Sequence, residues 1–184
     1  PVCRLYALGD IHGDLHTAKK ALHAAGVTTA GGSWAAGCST LVQTGDIVDR
    51  GTESLECLDY FRRLQHEARE RKGNVVVLLG NHELLNFEGV TSFVHEHELK
   101  KAGGEGEWRK LFAPRGEYRV WLETLNPVYK HKDTVFVHGG ILPEFAAIGV
   151  PGINRMARFM IKNGQFNQGL LGEHGVFWSR RIIS

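Results

Sequence analysis

The segment Ser39–Gly51 reads STLVQTGDIVDRG. A short apolar run stops abruptly at Gly45-Asp46, and an acid and a base, Asp49-Arg50, follow before Gly51. An apolar run of this length, bounded by a turn signal, is how a buried strand looks when it delivers a loop to one edge of a sheet. Working outward, the same signature recurs. Val2–Leu8 ends in Gly9-Asp10-Ile11-His12-Gly13-Asp14, Asn74–Leu79 ends in Gly80-Asn81-His82-Glu83, and Thr134–Val137 ends in His138-Gly139-Gly140. Segments of helical period lie between. Leu15, Ala18, Leu22 and Ala25 share a face stopped by Gly26. Leu55, Leu58, Tyr60, Phe61 and Leu64 share another, in a helix running towards Lys72 and ended by Gly73. Strands alternating with helices predict an α/β fold with a buried, largely parallel sheet whose loops carry the chemistry.

The stretch 91–132 breaks the alternation. Helical pieces are expected around Phe93–Lys101, Glu107–Phe112 and Glu117–Leu125, separated by Gly103-Gly104 and Pro114, as a helical insertion or cap beside the active face. With 184 residues, no repeat and no linker, a single domain over 1–184 is expected. The 42% hydrophobic and 23% charged composition is that of a soluble globular protein rather than a disordered one. A formal net charge of +2, with bases scattered among acids, argues against nucleic-acid and membrane-surface partners. No apolar run approaches the roughly 18 residues of a spanning helix. Cys3, Cys38 and Cys57 are odd in number and lack C-x-x-C spacing. They suggest neither a disulfide framework nor a cysteine zinc site, and so a reducing, cytoplasmic setting. The chain opens on Pro1 rather than Met, which leaves room for an upstream targeting peptide.

The four strand-end motifs are rich in metal and phosphate ligands. Asp and Asn oxygens mixed with neutral His nitrogens suit borderline divalent ions, Mn, Fe or Zn, better than Mg or Ca. Asp10 and His12, two apart at a strand end, can hold one ion. Asp46 can bridge to a second, held also by Asn81 and His138. Two such ions, about 3.5 to 4 Å apart, would polarise a phosphoryl group and turn a bridging water into hydroxide, the expected nucleophile. Arg50 offers a planar fork for phosphate oxygens. His82, beside Asn81, is placed to donate a proton to the leaving alkoxide, with Asp49 as the carboxylate that orients it. Arg50, Asn81 and His82 thus form the expected phosphate site.

These motifs, in this order, resemble the phosphoprotein phosphatase family of metallophosphoesterases, whose signatures are GDxHG, GDxxDRG, GNHE and HGG. Gly9–Leu15, Leu79–Asn86, Val135–Pro143, Gly149 and Ile153-Asn154-Arg155 extend the resemblance to its Shewanella-like, bacterial-like branch. The resemblance implies a calcineurin-like αββα sandwich, two catalytic metals and hydrolysis of phosphorylated protein or peptide side chains, on Ser/Thr or Tyr. Family members also carry a later ligand His, after the Trp-Ser segment, and a second phosphate-binding Arg. His174 comes before Trp178-Ser179, so it does not match that ligand, and the domain is expected to continue beyond Ser184. Two alternatives stand beside this one. Dinucleoside tetraphosphatases have similar motifs but usually GNHD and HAG, where this chain has Glu83 and Gly139. A truncated, non-catalytic member of the fold would keep the architecture and lose the second metal.

Other residues read more plainly. Glu83 and Asp14 fit supporting or helix N-terminal roles better than ligand roles. His95 and Glu98 share a helical face but His97 does not, which disfavours a zinc site. Trp34, Trp108 and Trp121 read as packing residues, Arg180 as a candidate neighbour of the active site. Cysteine-phosphatase chemistry is disfavoured because no C-x5-R loop is present.

Overall fold

Three parallel strands form the spine of the computed structural model, which describes residues 2–181. They are β1 (Leu5–Leu8), β2 (Thr40–Gln43) and β3 (Asn74–Val77), side by side in that order, with Leu5 opposite Thr40 and Thr40 opposite Asn74. All three therefore point their C-terminal ends at one edge, where ligands collect in open α/β sheets. The connections are helical. In α1 (Leu15–Ala24), Asp14 caps the first turn through Thr17 N at 2.9 Å, and Ala18 and Leu22 turn inward. Ala25, expected on the same face, is exposed beyond the helix end. The long α2 (Ser54–Glu70) buries Leu58, Phe61, Leu64 and Ala68 completely, each large side chain contributing about 1.5–3 kcal/mol of apolar burial. The expected fold class, α/β with a parallel sheet, is thus what the chain forms.

After β3 come α3 (Asn81–Phe87), α4 (Glu96–Ala102), α5 (Glu105–Phe112) and α6 (Glu117–Leu122). Helix α4 stops at Gly103, whose φ of 94° requires a residue without a Cβ. The helical stretch does not run to residue 132 as expected. Val128–His131 is a strand, β4, paired antiparallel with β5 (Thr134–Val137) across Lys132-Asp133. Four residues are too few for a period of two to stand out from a helical one. A short α7 (Pro143–Ala146) and α8 (Gly149–Lys162) complete the regular structure, apart from a turn of 3-10 helix at Gly169–Leu171. Among the described residues no helix is long and apolar enough to cross a membrane.

One expectation is overturned. Cys3 and Cys38 are joined by a disulfide, with Cα atoms 5.1 Å apart. Each cysteine lies two residues ahead of a paired strand, Leu5 and Thr40 being partners, so the parallel register itself brings them face to face. An odd count says only that one thiol is left over. That thiol is Cys57, fully buried on α2, and burial pushes its pKa well above the ordinary range, which leaves it inert.

Candidate metal centre

The strand-end loops hang on one another through backbone. Ile11 N and His12 N both donate to Asp46 O (2.9 and 3.0 Å), Gly13 N to Ile47 O (2.8 Å), and Gly51 N to His12 O (2.9 Å). Contact this close needs glycine. A Cβ on Gly45 would lie 2.4 Å from Gly80 N, and one on Gly80 only 2.2 Å from Asp46 Oδ1. It also needs unusual backbone. His12, Asp46, Asp49 and Arg50 have φ of 48°, 55°, 71° and 66°, left-handed values that cost about 1–3 kcal/mol each for residues with side chains.

Glu83 locks two of the loops together. Its Oε2 accepts from Gly80 N (2.7 Å) and Asp46 N (2.9 Å), and its Oε1 from Ile47 N (2.8 Å) and Val48 N (3.3 Å). Burial and the charge of Asp46 push this carboxyl's pKa up, while the backbone N–H groups hold it down. Every partner is a donor, so a proton on either oxygen would find nothing to accept it.

Five electron-pair donors converge in front of these loops. His12 Nδ1 is bonded to Val48 O (2.9 Å) and His138 Nδ1 to Thr44 O (3.0 Å), which turns each Nε2 lone pair inward. His12 Nε2 stands 3.5 Å from Asp46 Oδ2 and 3.9 Å from Asp10 Oδ2. His138 Nε2 stands 3.4 Å from the same Asp46 Oδ2 and 2.8 Å from Asn81 Oδ1. Asp46 thus divides its labour. Oδ1 accepts from His82 N (3.0 Å), and Oδ2 faces both histidines. Burial raises the Asp46 pKa against the His82 hydrogen bond and the nearby histidines. Burial lowers that of His138 against the charges of Glu83 and Asp10, which favours the neutral imidazole a metal requires. Lone pairs pointed at one another in this way repel unless cations lie between them, so the donor set fits divalent metal ions.

His82 falls within reach of the same cluster, but its ring is otherwise engaged. Its Nδ1 bonds Asp49 Oδ2 at 2.8 Å in a fully buried pair, and its Nε2 lies 3.4 Å from Arg50 Nη2. Burial disfavours the imidazolium, yet the Asp49 hydrogen bond and the charges of Asp46, Asp49 and Glu83 outweigh it and raise the His82 pKa. Arg50 is itself exposed, its backbone N anchored to Phe93 O at 2.8 Å.

Asp10, His12, Asp46, Arg50, Asn81 and His82 line one cleft of about 460 Å³ together with Leu85, Phe93, Trp178 and Arg180. The residues expected from sequence are therefore brought together. Arg180 does reach the cleft, and the tryptophan on its wall is Trp178, whereas Trp34 and Trp108 are buried and Trp121 bonds Gln65. Phe93 had no chemical signal of its own, since an apolar residue in an insertion looks like packing. His174 is exposed and belongs to neither donor group. His95 and Glu98 form no zinc site. Glu98 accepts from Ser54 N (2.8 Å) at the start of α2, and His95 Nδ1 accepts from His97 N (3.1 Å).

A family model described as calcineurin-like phosphoesterase matches residues 3–175. An uncharacterized protein of Schizosaccharomyces pombe is 39% identical over 149 residues, which cover 77% of this chain and 45% of that protein. Shewanella-like protein phosphatase 1 of Plasmodium berghei is 30% identical over 185 residues, covering 96% of this chain and 51% of that protein. The crystal structure of the cold-active protein-tyrosine phosphatase of a psychrophilic Shewanella species superposes with a TM-score of 0.89 at 28% identity, over 100% of this chain and 60% of that one. The chain spans about half the length of the curated relatives it matches.

Proposed function

The chain belongs to the calcineurin-like phosphoesterase family, and from that premise we propose that its protein is a metal-dependent phosphomonoesterase acting on phosphorylated protein side chains. The observation that carries this reading is the convergence of Asp10, His12, Asp46, Asn81 and His138 beside the Asp49–His82 pair and Arg50, with Asp10, His12, Asp46, Arg50, Asn81 and His82 lining one cleft. Asp10, His12 and Asp46 would hold one divalent ion, and Asp46, Asn81 and His138 a second, of the Mn, Fe or Zn type. When bound, two such ions polarise the phosphoryl group and activate water.

The chain's own residues do the rest. Arg50 and Arg180, on the cleft wall, bind phosphate oxygens and offset the charge that grows on them. Asp49 accepts from His82 Nδ1–H, which leaves Nε2 as the ring nitrogen on the cleft side, the one from which a protonated imidazole would pass its proton to the departing oxygen. Phe93 and Trp178 give the opening apolar walls that exclude water and can contact the phosphorylated residue. A hydrolysis in one step follows, with no nucleophilic side chain required; the only free thiol among the described residues is the inert Cys57.

The test is metal reconstitution of the full protein. Two ions per chain and turnover of p-nitrophenyl phosphate restored by Mn are expected, and Asp46→Asn should lose on the order of 10³-fold or more. Retained turnover in Asp46→Asn sinks the mechanism, and one ion without turnover favours a non-catalytic member of the fold. Preference for diadenosine tetraphosphate over phosphopeptides would move the reading to nucleotide hydrolysis. As for location, the Cys3–Cys38 bridge removes the support for a reducing cytoplasm and favours an oxidising compartment.

A further inference from the structure

The Asp49–His82 pair does not end at Asp49. Asn86, one turn beyond His82 on α3, donates from Nδ2 to Asp49 Oδ1 (2.9 Å) and to the His82 carbonyl (3.0 Å). Asn86 Oδ1 in turn accepts from the indole Nε1–H of Trp108, on α5 of the inserted helical stretch, at 2.7 Å. All four residues are buried, Trp108 at 1% exposure, Asn86 at 2%, Asp49 at 0% and His82 at 3%.

An indole nitrogen can only donate, and this decides which way the Asn86 amide faces. Its oxygen must turn to Trp108, so its NH2 turns to Asp49. With the amide reversed, an oxygen would face the Asp49 carboxylate at hydrogen-bond distance and repel it. In the observed orientation Asp49 has Oδ1 held by Asn86, and Oδ2 is left with a single partner, His82 Nδ1. Trp108 packs against Phe112 at a centroid distance of 5.4 Å, but that packing needs only a ring; the N–H serves the amide.

We infer that Trp108 and Asn86 are positioning residues for His82, a relay by which the inserted helices hold the proton donor in line with the leaving group. The inference rests on the reading of His82 as that donor, and the experiment separates the two. The full protein is assayed on a phosphoserine peptide, whose alkoxide leaves only when protonated, and on p-nitrophenyl phosphate, whose leaving group needs no proton. Trp108→Phe removes the N–H and keeps a ring; Asn86→Asp sets a carboxylate against Asp49. Both should lower kcat on the phosphopeptide by about tenfold or more. Turnover of p-nitrophenyl phosphate should change by less than about twofold, with KM and metal content unchanged. His82→Asn, measured alongside, should lower turnover of both substrates, and that of the phosphopeptide by about 10²-fold or more beyond the loss on p-nitrophenyl phosphate.

Selective loss in His82→Asn but not in Trp108→Phe and Asn86→Asp overturns the relay and leaves the donor standing. No selectivity in His82→Asn sinks both. Equal loss on the two substrates, accompanied by lost metal, makes Trp108 and Asn86 merely structural and overturns the relay. A readout without turnover runs in parallel. The Trp108 indole N–H should exchange slowly with solvent in the parent protein and quickly in Asn86→Ala, and fast exchange in the parent contradicts the hydrogen bond on which the relay depends.

Discussion

The strand-end loops and the inserted helices α4–α6 are built by opposite means. In the loops, four residues with side chains hold left-handed backbone, glycines admit contacts that no Cβ would allow, and Asp10, His12, Asp46, Arg50, Asn81 and His82 face a shared cleft. The helices are regular and sealed by packing, with Trp108, Phe112 and Tyr118 in a contiguous aromatic series. Yet the loops are not self-supporting. Arg50 N is held by Phe93 O, the start of α2 by Glu98, and Asn86 by Trp108. Reactive geometry sits on strained backbone, and unstrained elements elsewhere keep it there.

The sharpest way to break this division is Glu83→Gln, which acts inside the loops. The replaced oxygen becomes an NH2 group facing two backbone N–H donors, so donors are set against donors in a fully buried place. A stability loss of about 2–6 kcal/mol is expected by chemical denaturation, from two buried donors left unsatisfied at about 1–3 kcal/mol each. A loss below about 1 kcal/mol would show that the loops hold themselves. Reducing the Cys3–Cys38 bridge acts at the far end of the same strands. It spans 35 residues, and its removal should cost about 3–4 kcal/mol with metal content unaffected, measured on protein with Cys57 blocked or replaced by Ala. Loss of metal before loss of fold would show that the two ends of the sheet are coupled.

The smallest effect lies in the helices. Glu98 is 2% exposed, and burial pushes its carboxyl pKa up despite the hydrogen bond from Ser54. A carboxyl whose folded pKa lies above its unfolded value favours the fold most below that unfolded value, 4.5, and the contribution is lost as pH rises through the folded pKa. Glu98→Gln should therefore flatten the decline of stability that sets in as pH rises above about 4.5. An unchanged pH profile would show that Glu98 keeps its unfolded-state pKa in the fold and would contradict the shift.

The difference between the two regions also governs what could be read from sequence. The loops are legible because their signal is local: Gly45-Asp46 after an apolar run marks a strand end that delivers a carboxylate to the sheet edge. Asp10, His12, Asp46, Asn81 and His138 come together in space, and α1 and α2 end within three residues of their stop glycines, Gly26 and Gly73. What was missed depends on residues far apart in the chain. The Cys3–Cys38 bridge needs the β1–β2 register, Asn86 needs a partner 22 residues on, and Phe93 and Trp178 meet only across the cleft. Strand β4 was missed for a local reason, being too short to show its period.

The left-handed backbones at His12, Asp46, Asp49 and Arg50 have a consequence outside the molecule. They draw down the stability of the metal-free chain at the place where bound ions would restore it, since a ligand taken up only by the folded form stabilises that form by mass action. Cells clear unfolded protein continuously, so a shift of one or two kcal/mol changes abundance several-fold. The amount of this protein would then rise and fall with the cell's supply of divalent metal, apart from any control of its gene.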